Sequence, residues 1–323
     1  MPNLTPTAST SVSVRRAGEV TAAYHAELDR LPLAANTRRA YRSRVANFLA
    51  WLVSADLDGG DPLADPHARD YAVRDYTRHL RVVAKKEPAT INAVLAALDH
   101  FYRWRGLGPP NARRQDLPQL APRALEPPEQ RRFLRAVERS PSTRDRALTL
   151  TLFYAGPRIS EAAALEVGDV RLTARKGELA VRDGKGGTAR KVPLHAEARA
   201  ALAAWLADRA RLLEQLAERG RPVAPAEQEA EQEALWLSRR GTRLTTRAID
   251  LVVRTLGAEA GLEEELSAHV LRHTCFTNLR RAGVDLVTIA GLAGHARLDT
   301  TRRYTLPSEA DRQAAIDAVQ VEY

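Results

Sequence analysis

Val170-Arg-Leu-Thr-Ala-Arg-Lys-Gly-Glu-Leu-Ala-Val-Arg-Asp-Gly-Lys-Gly-Gly-Thr-Ala-Arg-Lys-Val-Pro-Leu194 interrupts an otherwise helical sequence pattern. Within it, Val170 to Thr173, Glu178 to Val181 and Lys191 to Leu194 read as three short strands. Gly-containing turns at Lys176-Gly177 and between Gly184 and Gly187 separate them. The expected fold is therefore mainly α, with one small three-stranded antiparallel sheet.

Before the strands, Ala17 to Gly106 carries apolar residues at helical spacing. Leu28 and Leu31 belong to a first helix. Thr37 is expected to cap a second, whose apolar face is Tyr41, Val45, Phe48, Leu49 and Leu52. Asp70 to Val83 forms a third. Thr90 starts a fourth, with Ile91, Val94, Leu95, Leu98, Phe101 and Tyr102 on one stripe. Residues 109–127 are rich in Pro and polar types and show no period, as in a linker. Pro128 to Val137 and Thr143 to Ala155 are helical again, and helices resume at Glu197. The charged run Arg209 to Glu233 reads as a helical extension followed by a solvated, flexible insert. Residues 1–16 read as a disordered tail. The expected domains are residues 17–108, 128–306 and a terminal helix at 307–323.

The formal net charge is +9, carried mostly by Arg. A guanidinium presents a planar fork of donors that fits phosphate oxygens, so this balance suits a polyanionic partner. A GC-rich genome would give the same composition. The single cysteine, Cys275, excludes an intrachain disulfide and fits a reduced, cytoplasmic setting. No apolar run approaches the roughly 20 residues of a membrane span.

Four segments carry candidate chemistry. In Phe153-Tyr-Ala-Gly-Pro-Arg-Ile-Ser-Glu161, Gly156-Pro157 breaks one helix and Arg158 opens the next. Helix N-termini bind anions, and Glu161, one turn on, can hold the Arg158 guanidinium; a surface ion pair is the plain alternative. Gly184-Lys-Gly-Gly-Thr188 puts Lys185 at a hairpin tip, where most lysines are merely solvated. In Ser267-Ala-His-Val-Leu-Arg-His-Thr274, Ser267 caps a helix that brings His269 and Arg272 to one face. That pair suits a phosphate, because Arg binds the nonbridging oxygens and His moves a proton. His273 is expected to point elsewhere and to serve packing. Finally, in the run from Ile289 to Tyr304, Gly294 ends a helix, His295 follows the break, and Asp299 caps a short helix carrying Tyr304.

Together and in this order, the four segments resemble the tyrosine recombinase (phage integrase) family, and its Xer-like branch in particular. The resemblance extends from Thr37-Arg-Arg-Ala-Tyr41 to Tyr304. It implies a catalytic set of Arg158, Lys185, His269, Arg272, His295 and Tyr304. It also implies a two-lobed DNA clamp, made of a helical core-binding domain and a catalytic domain. Two positions depart from the family pattern. Pro157 precedes the first Arg, where it could stiffen the entry to the helix. Ala293 precedes Gly294-His295 where a larger apolar residue is usual, which could loosen packing.

The resemblance further implies the chemistry. Tyr304 attacks a phosphate to give a 3′-phosphotyrosine and a free 5′-hydroxyl. Lys185 is the general acid, His269 accepts the tyrosine proton, and His295 donates a hydrogen bond to the phosphate. No metal, ATP or other cofactor is expected. Expected DNA contacts are Arg38, Arg39, Arg42, Lys85, Lys86, Asn92, Arg240 and Arg243, with a solvated basic face as the alternative for each. Expected partners are double-stranded DNA and three further copies of the chain on two paired sites, joined by exchange of the terminal helix. An accessory protein is possible and no membrane is expected; the protein would lie in the cytoplasm, with the nucleoid. Two other readings compete: a type IB topoisomerase, and a sequence-specific DNA-binding protein without catalysis.

Overall fold

The computed structural model describes residues 12–57, 60–117, 123–182, 189–219 and 233–294. It divides into two compact units between residues 119 and 120. Each has its own apolar core.

The first unit is built from α1 (Val14–Arg30), α2 (Ala35–Ser54), α3 (Pro66–Val82) and α4 (Pro88–Trp104). The apolar stripes read from the sequence turn inward: Val45, Phe48, Leu49 and Leu52 of α2 meet Ile91, Leu95, Leu98 and Phe101 of α4. Aromatic rings fill the centre. Tyr24 packs edge-on against Phe101, and Phe48 lies against Tyr76 and Tyr102. Burying such side chains contributes about 1.5–3 kcal/mol each.

Three helix starts differ from expectation. Thr37 lies inside α2, which begins at Ala35 and has no side-chain cap. Helix α3 begins at Pro66, four residues before Asp70, because the Asp65 carboxylate accepts from the His67 amide and Pro suits the first turn. Helix α4 likewise begins at Pro88, ahead of Thr90. Leu31 is the residue that follows α1.

Residues 107–117 have irregular backbone but are tied to the first unit. The Asn92 amide donates to the Gln115 carbonyl at 2.8 Å and accepts from its amide at 2.7 Å. Arg114 reaches Asp99 and the Asn92 carbonyl, each at 2.5 Å.

The second unit contains α5 (Pro127–Arg139), α6 (Thr143–Ala155), α7 (Ile159–Ala164), β1 (Val170–Leu172), β2 (Gly177–Val181), β3 (Arg190–Pro193), α8 (Ala196–Glu218), α9 (Thr246–Glu259), α10 (Ala268–Arg281) and α11 (Leu286–Ala293). The sheet order is β1-β2-β3, antiparallel throughout. Leu179 pairs with Val192 and Val181 with Arg190. Directly opposed residues share a face, and that face alternates along a strand. Leu179, Val181 and Val192 are buried, so this face is the core face. Arg190 therefore starts β3 pointing inward, while Lys191 points outward and pairs with Glu178 at 3.1 Å.

Phe133, Leu148, Leu152, Trp205, Trp236, Ile249, Val253 and Leu271 form the main core around α6 and α10. Arg209, read as part of a solvated run, is buried on α8; its Nε donates to the Ala234 carbonyl at 2.9 Å. The rest of the expected insert, residues 220–232, lies outside the described residues. So do residues 1–11 of the expected tail and the whole terminal segment 307–323. Among the described residues no helix is long and apolar enough to cross a membrane.

Helix α10 is anchored at its middle by Thr274. Its Oγ1 accepts from the Leu125 amide at 2.9 Å and donates to the Val270 carbonyl at 2.8 Å. Replacing Thr274 by Val keeps the shape but leaves a buried N–H without an acceptor, which costs about 1–3 kcal/mol. Thr274→Ser keeps the hydroxyl and should cost less. Urea unfolding of the two variants checks the order, and equal losses would show that the hydroxyl is not what matters.

Candidate active site

Helix α6 ends at Gly156, whose left-handed φ of 59° turns the chain sharply. A Cβ there would sit 3.0 Å from the Phe276 ring, so glycine serves both the turn and the close approach. Pro157 is buried, and Arg158 follows as the residue preceding α7. Glu161, in the first turn of α7, accepts from the Arg158 amide and from its guanidinium, both at 2.7 Å. The expected ion pair is thus present, but Glu161 is only 5% exposed and the pair is far from a surface one.

Glu161 is also held by Arg190. Arg190 Nη2 donates to Oε2 at 2.7 Å and Nη1 to Oε1 at 3.1 Å. Burial alone would push the Glu161 carboxyl up. The hydrogen bonds from Arg190 and Arg158, with the Arg190 charge, outweigh it and hold the group at about 2, against an ordinary 4.5.

The third arginine comes from α10, capped by the Ser267 hydroxyl as expected. Arg272 is 3% exposed and lies over the Phe276 ring. Its Nη1 donates to the Gly156 carbonyl at 2.5 Å and its Nη2 to the Ala293 carbonyl at 2.6 Å. Arg158 Nη2 reaches the Gly294 carbonyl at 3.1 Å, and Arg190 Nε the Leu292 carbonyl at 2.8 Å. Three guanidiniums thus take three successive carbonyls at the C-terminal end of α11. Those carbonyls have no intrahelical partner and carry the negative end of the helix dipole. Gly294 has φ 63°, and a Cβ there would come within 2.8 Å of Arg190 Nη1. Ala293, the small residue flagged in the sequence, is fully buried and packs with Cys275, Phe276 and Ile289.

His269 is exposed and His273, four residues on, is buried. Contrary to expectation, His273 does not point elsewhere: the two Nε2 atoms are 2.7 Å apart and the rings meet edge to face. One nitrogen must donate and the other accept, so the pair shares one hydrogen on this axis. Cys275, beneath the turn at Gly156, has its thiol pushed up to about 12 by burial, which keeps it an unreactive thiol.

Of the six expected catalytic residues, Arg158, His269 and Arg272 are described. Lys185, His295 and Tyr304 lie outside the described residues. Arg190 was missed. Its signal was the alternation in Arg190-Lys-Val192, where an inward Val at 192 requires an inward side chain at 190.

The expected DNA contacts separate into two groups. Arg39, Lys85, Lys86 and Arg240 are exposed. Lys85 adopts φ 47°, a turn in which glycine is usual, just after α3. Arg38 and Arg42 face Asp29, at 3.9 and 2.5 Å. Asn92 clasps the backbone of Gln115, and Arg243 donates to the carbonyls of Ala163 and Leu165. Both of these support the protein's own chain.

The profile of the phage integrase family matches residues 123–310. The chain belongs to that family. It is a tyrosine recombinase of the Xer type, as its relatives indicate. Tyrosine recombinase XerA of Thermococcus kodakarensis is 31% identical over 291 residues, covering 89% of this chain and 90% of the relative. Tyrosine recombinase XerD of Bifidobacterium longum is 31% identical over 289 residues, covering 84% and 87%. The fold is shared with the XerH site-specific recombinase bound to its palindromic difH substrate, with a TM-score of 0.67 at 21% identity over 96% of this chain and 90% of the other. It is shared too with a lambda integrase dimer bound to a COC′ core site, with a TM-score of 0.65 at 16% identity over 97% and 82%.

The depressed Glu161 carboxyl makes stability depend on pH with a definite sign. Its contribution is complete above about pH 4.5 and is lost as pH falls toward about 2. The stability difference between the wild type and Glu161→Gln should therefore be constant above about pH 5 and shrink below it. Urea unfolding across that range checks this; a difference that stays level down to pH 2 would contradict it.

Proposed function

We propose that this tyrosine recombinase cleaves and rejoins double-stranded DNA through a phosphotyrosine at Tyr304. The observation that carries the reading is the convergence of Arg158, just before α7, and Arg272, from α10, on neighbouring carbonyls at Gly294 and Ala293. Two fixed guanidiniums at one point form a cradle for the nonbridging oxygens of a single phosphodiester. Their charge is preorganised, so it stabilises the extra negative charge of the pentacoordinate transition state at little reorganisation cost.

In this reading the Tyr304 phenol gives its proton to His269 and its oxygen attacks phosphorus. The bond from phosphorus to the 5′-oxygen breaks, and the departing oxygen takes a proton from Lys185. His295 donates a hydrogen bond to the phosphate. One phosphoester replaces another, so rejoining needs no ATP, and the arginines supply the positive charge that a metal would otherwise bring. The free 5′-hydroxyl of a second duplex can attack the phosphotyrosine, which exchanges strands through a Holliday junction. Four copies on two paired sites accomplish this, with the segment 307–323 linking neighbours. Exposed Arg39, Lys85, Lys86 and Arg240, together with Arg38 and Arg42, contact backbone phosphates; such contacts set position rather than sequence.

The test begins with the DNA bound by Tyr304→Phe protein in cells, which is sequenced to recover the site. A duplex carrying that site, nicked beside the cleavage point, should trap a covalent adduct with the wild type and none with Tyr304→Phe. Arg158→Ala and Arg272→Ala should each slow adduct formation by about 10²–10³. Two sites on one plasmid should recombine, whereas relaxation of supercoils without exchange would point to a topoisomerase. Specific binding with no adduct from the wild type would leave only a DNA-binding protein.

A further inference from the structure

Arg158 presents an electrostatic problem that the rest of the site must solve. Its guanidinium is bound to Glu161, which is buried and ionised. That carboxylate orients the arginine but also cancels its charge. A neutral Arg–Glu pair has little to offer an anion. A carboxylate this close also repels a phosphate at short range through partly dehydrated surroundings, where screening is weak.

Arg190 sits where a second cation would answer this. It is 8% exposed at the side chain, faces the core side of the sheet, and binds both Glu161 oxygens. Its third contact is the Leu292 carbonyl, next to the carbonyls held by Arg272 and Arg158. Two guanidiniums and one carboxylate leave a net charge of +1. The Glu161 carboxylate is shared between them, and the Arg158 side chain is 25% exposed.

We infer that Arg190 is a positioning residue of the recombination site, acting as the counter-cation that lets Glu161 orient Arg158 without neutralising it toward phosphate. The inference rests on the proposed role of Arg158. It distinguishes Arg190 from a brace that merely joins β3 to α7 and α11. A brace would act through geometry and stability alone, whereas a counter-cation acts through the charge balance with Glu161.

The charge balance can be altered independently of the brace. In Arg190→Gln the pair Arg158–Glu161 is left neutral. In the double variant Glu161→Gln with Arg190→Gln, both offsetting charges are gone and Arg158 again carries a net +1. Arg190→Lys keeps the charge without the fork. The probe is inorganic phosphate, titrated into the full-length protein, with the Arg158 guanidinium N–H followed by NMR and thermal melting reporting the fold. Arg190→Gln should weaken phosphate binding by about tenfold. The double variant should return to within about threefold of the wild type, as should Arg190→Lys.

Wild-type affinity in Arg190→Gln would overturn the inference. So would a double variant that is folded but binds no better than Arg190→Gln. Should the Gln variants fail to fold, Arg190→Lys decides alone: binding more than about threefold weaker than the wild type would show that the fork, not the charge, is what matters and would overturn the inference. The nicked-duplex reaction of the wild type reports the recombinase reading separately. An adduct there, with phosphate binding insensitive to Arg190, sinks this inference alone.

Discussion

The C-terminal end of α11 leaves three carbonyl oxygens without helical partners, and three arginines from three other elements close on them. This one constraint organises the second unit. Each arginine arrives by a different route: Arg158 from the turn at Gly156, Arg190 from the first position of β3, and Arg272 from the buried side of α10. Carbonyls at a helix end are fixed acceptors, so the guanidiniums are held in place without any ligand. Like charges brought this close would repel one another. The helix dipole and the Glu161 carboxylate offset that repulsion.

Burial makes the arrangement rigid. Glu161 and Arg272 are almost without solvent, and the residues beneath them are small or closely fitted: Gly156, Cys275, Phe276 and Ala293. A buried charge with unmet hydrogen-bonding capacity is costly, so such a cluster persists only when every member is engaged. Glu161 meets this with four donors on two oxygens. The price of the design is sensitivity: removing the charge of any one group leaves its partners uncompensated.

Much of this was legible in the sequence because it follows from local chemistry. The three strands, the Gly156 break, the Ser267 cap and the end of α11 at Gly294 all rest on residue types whose backbone preferences are strong. The Arg158–Glu161 contact followed from helical spacing. What escaped notice depended on distant neighbours. Thr37 is a good capping residue in isolation, yet α2 begins at Ala35 and runs through it, with Leu33 before the helix and Tyr41 within it packed against the core of the first unit. His273 follows Arg272 directly and so leaves that residue's face, but it lies four residues after His269 and meets it on the helix. Asn92 and Arg243 looked like surface groups, since nothing local reveals that a backbone carbonyl from another segment lies within reach. Arg190 was hidden for a simpler reason: a basic residue beside a lysine invites an outward reading, although the strand alternation dictates the reverse.

That alternation has one more consequence. Arg190 and Lys191 are adjacent, so a shift of β3 by a single position would swap them across the sheet. The pocket would still receive a cation, but one with a single ammonium that cannot span both Glu161 oxygens. Val192 would at the same time be turned out of the core. Correct strand alignment is thus favoured twice, once by an oily side chain and once by a planar ion.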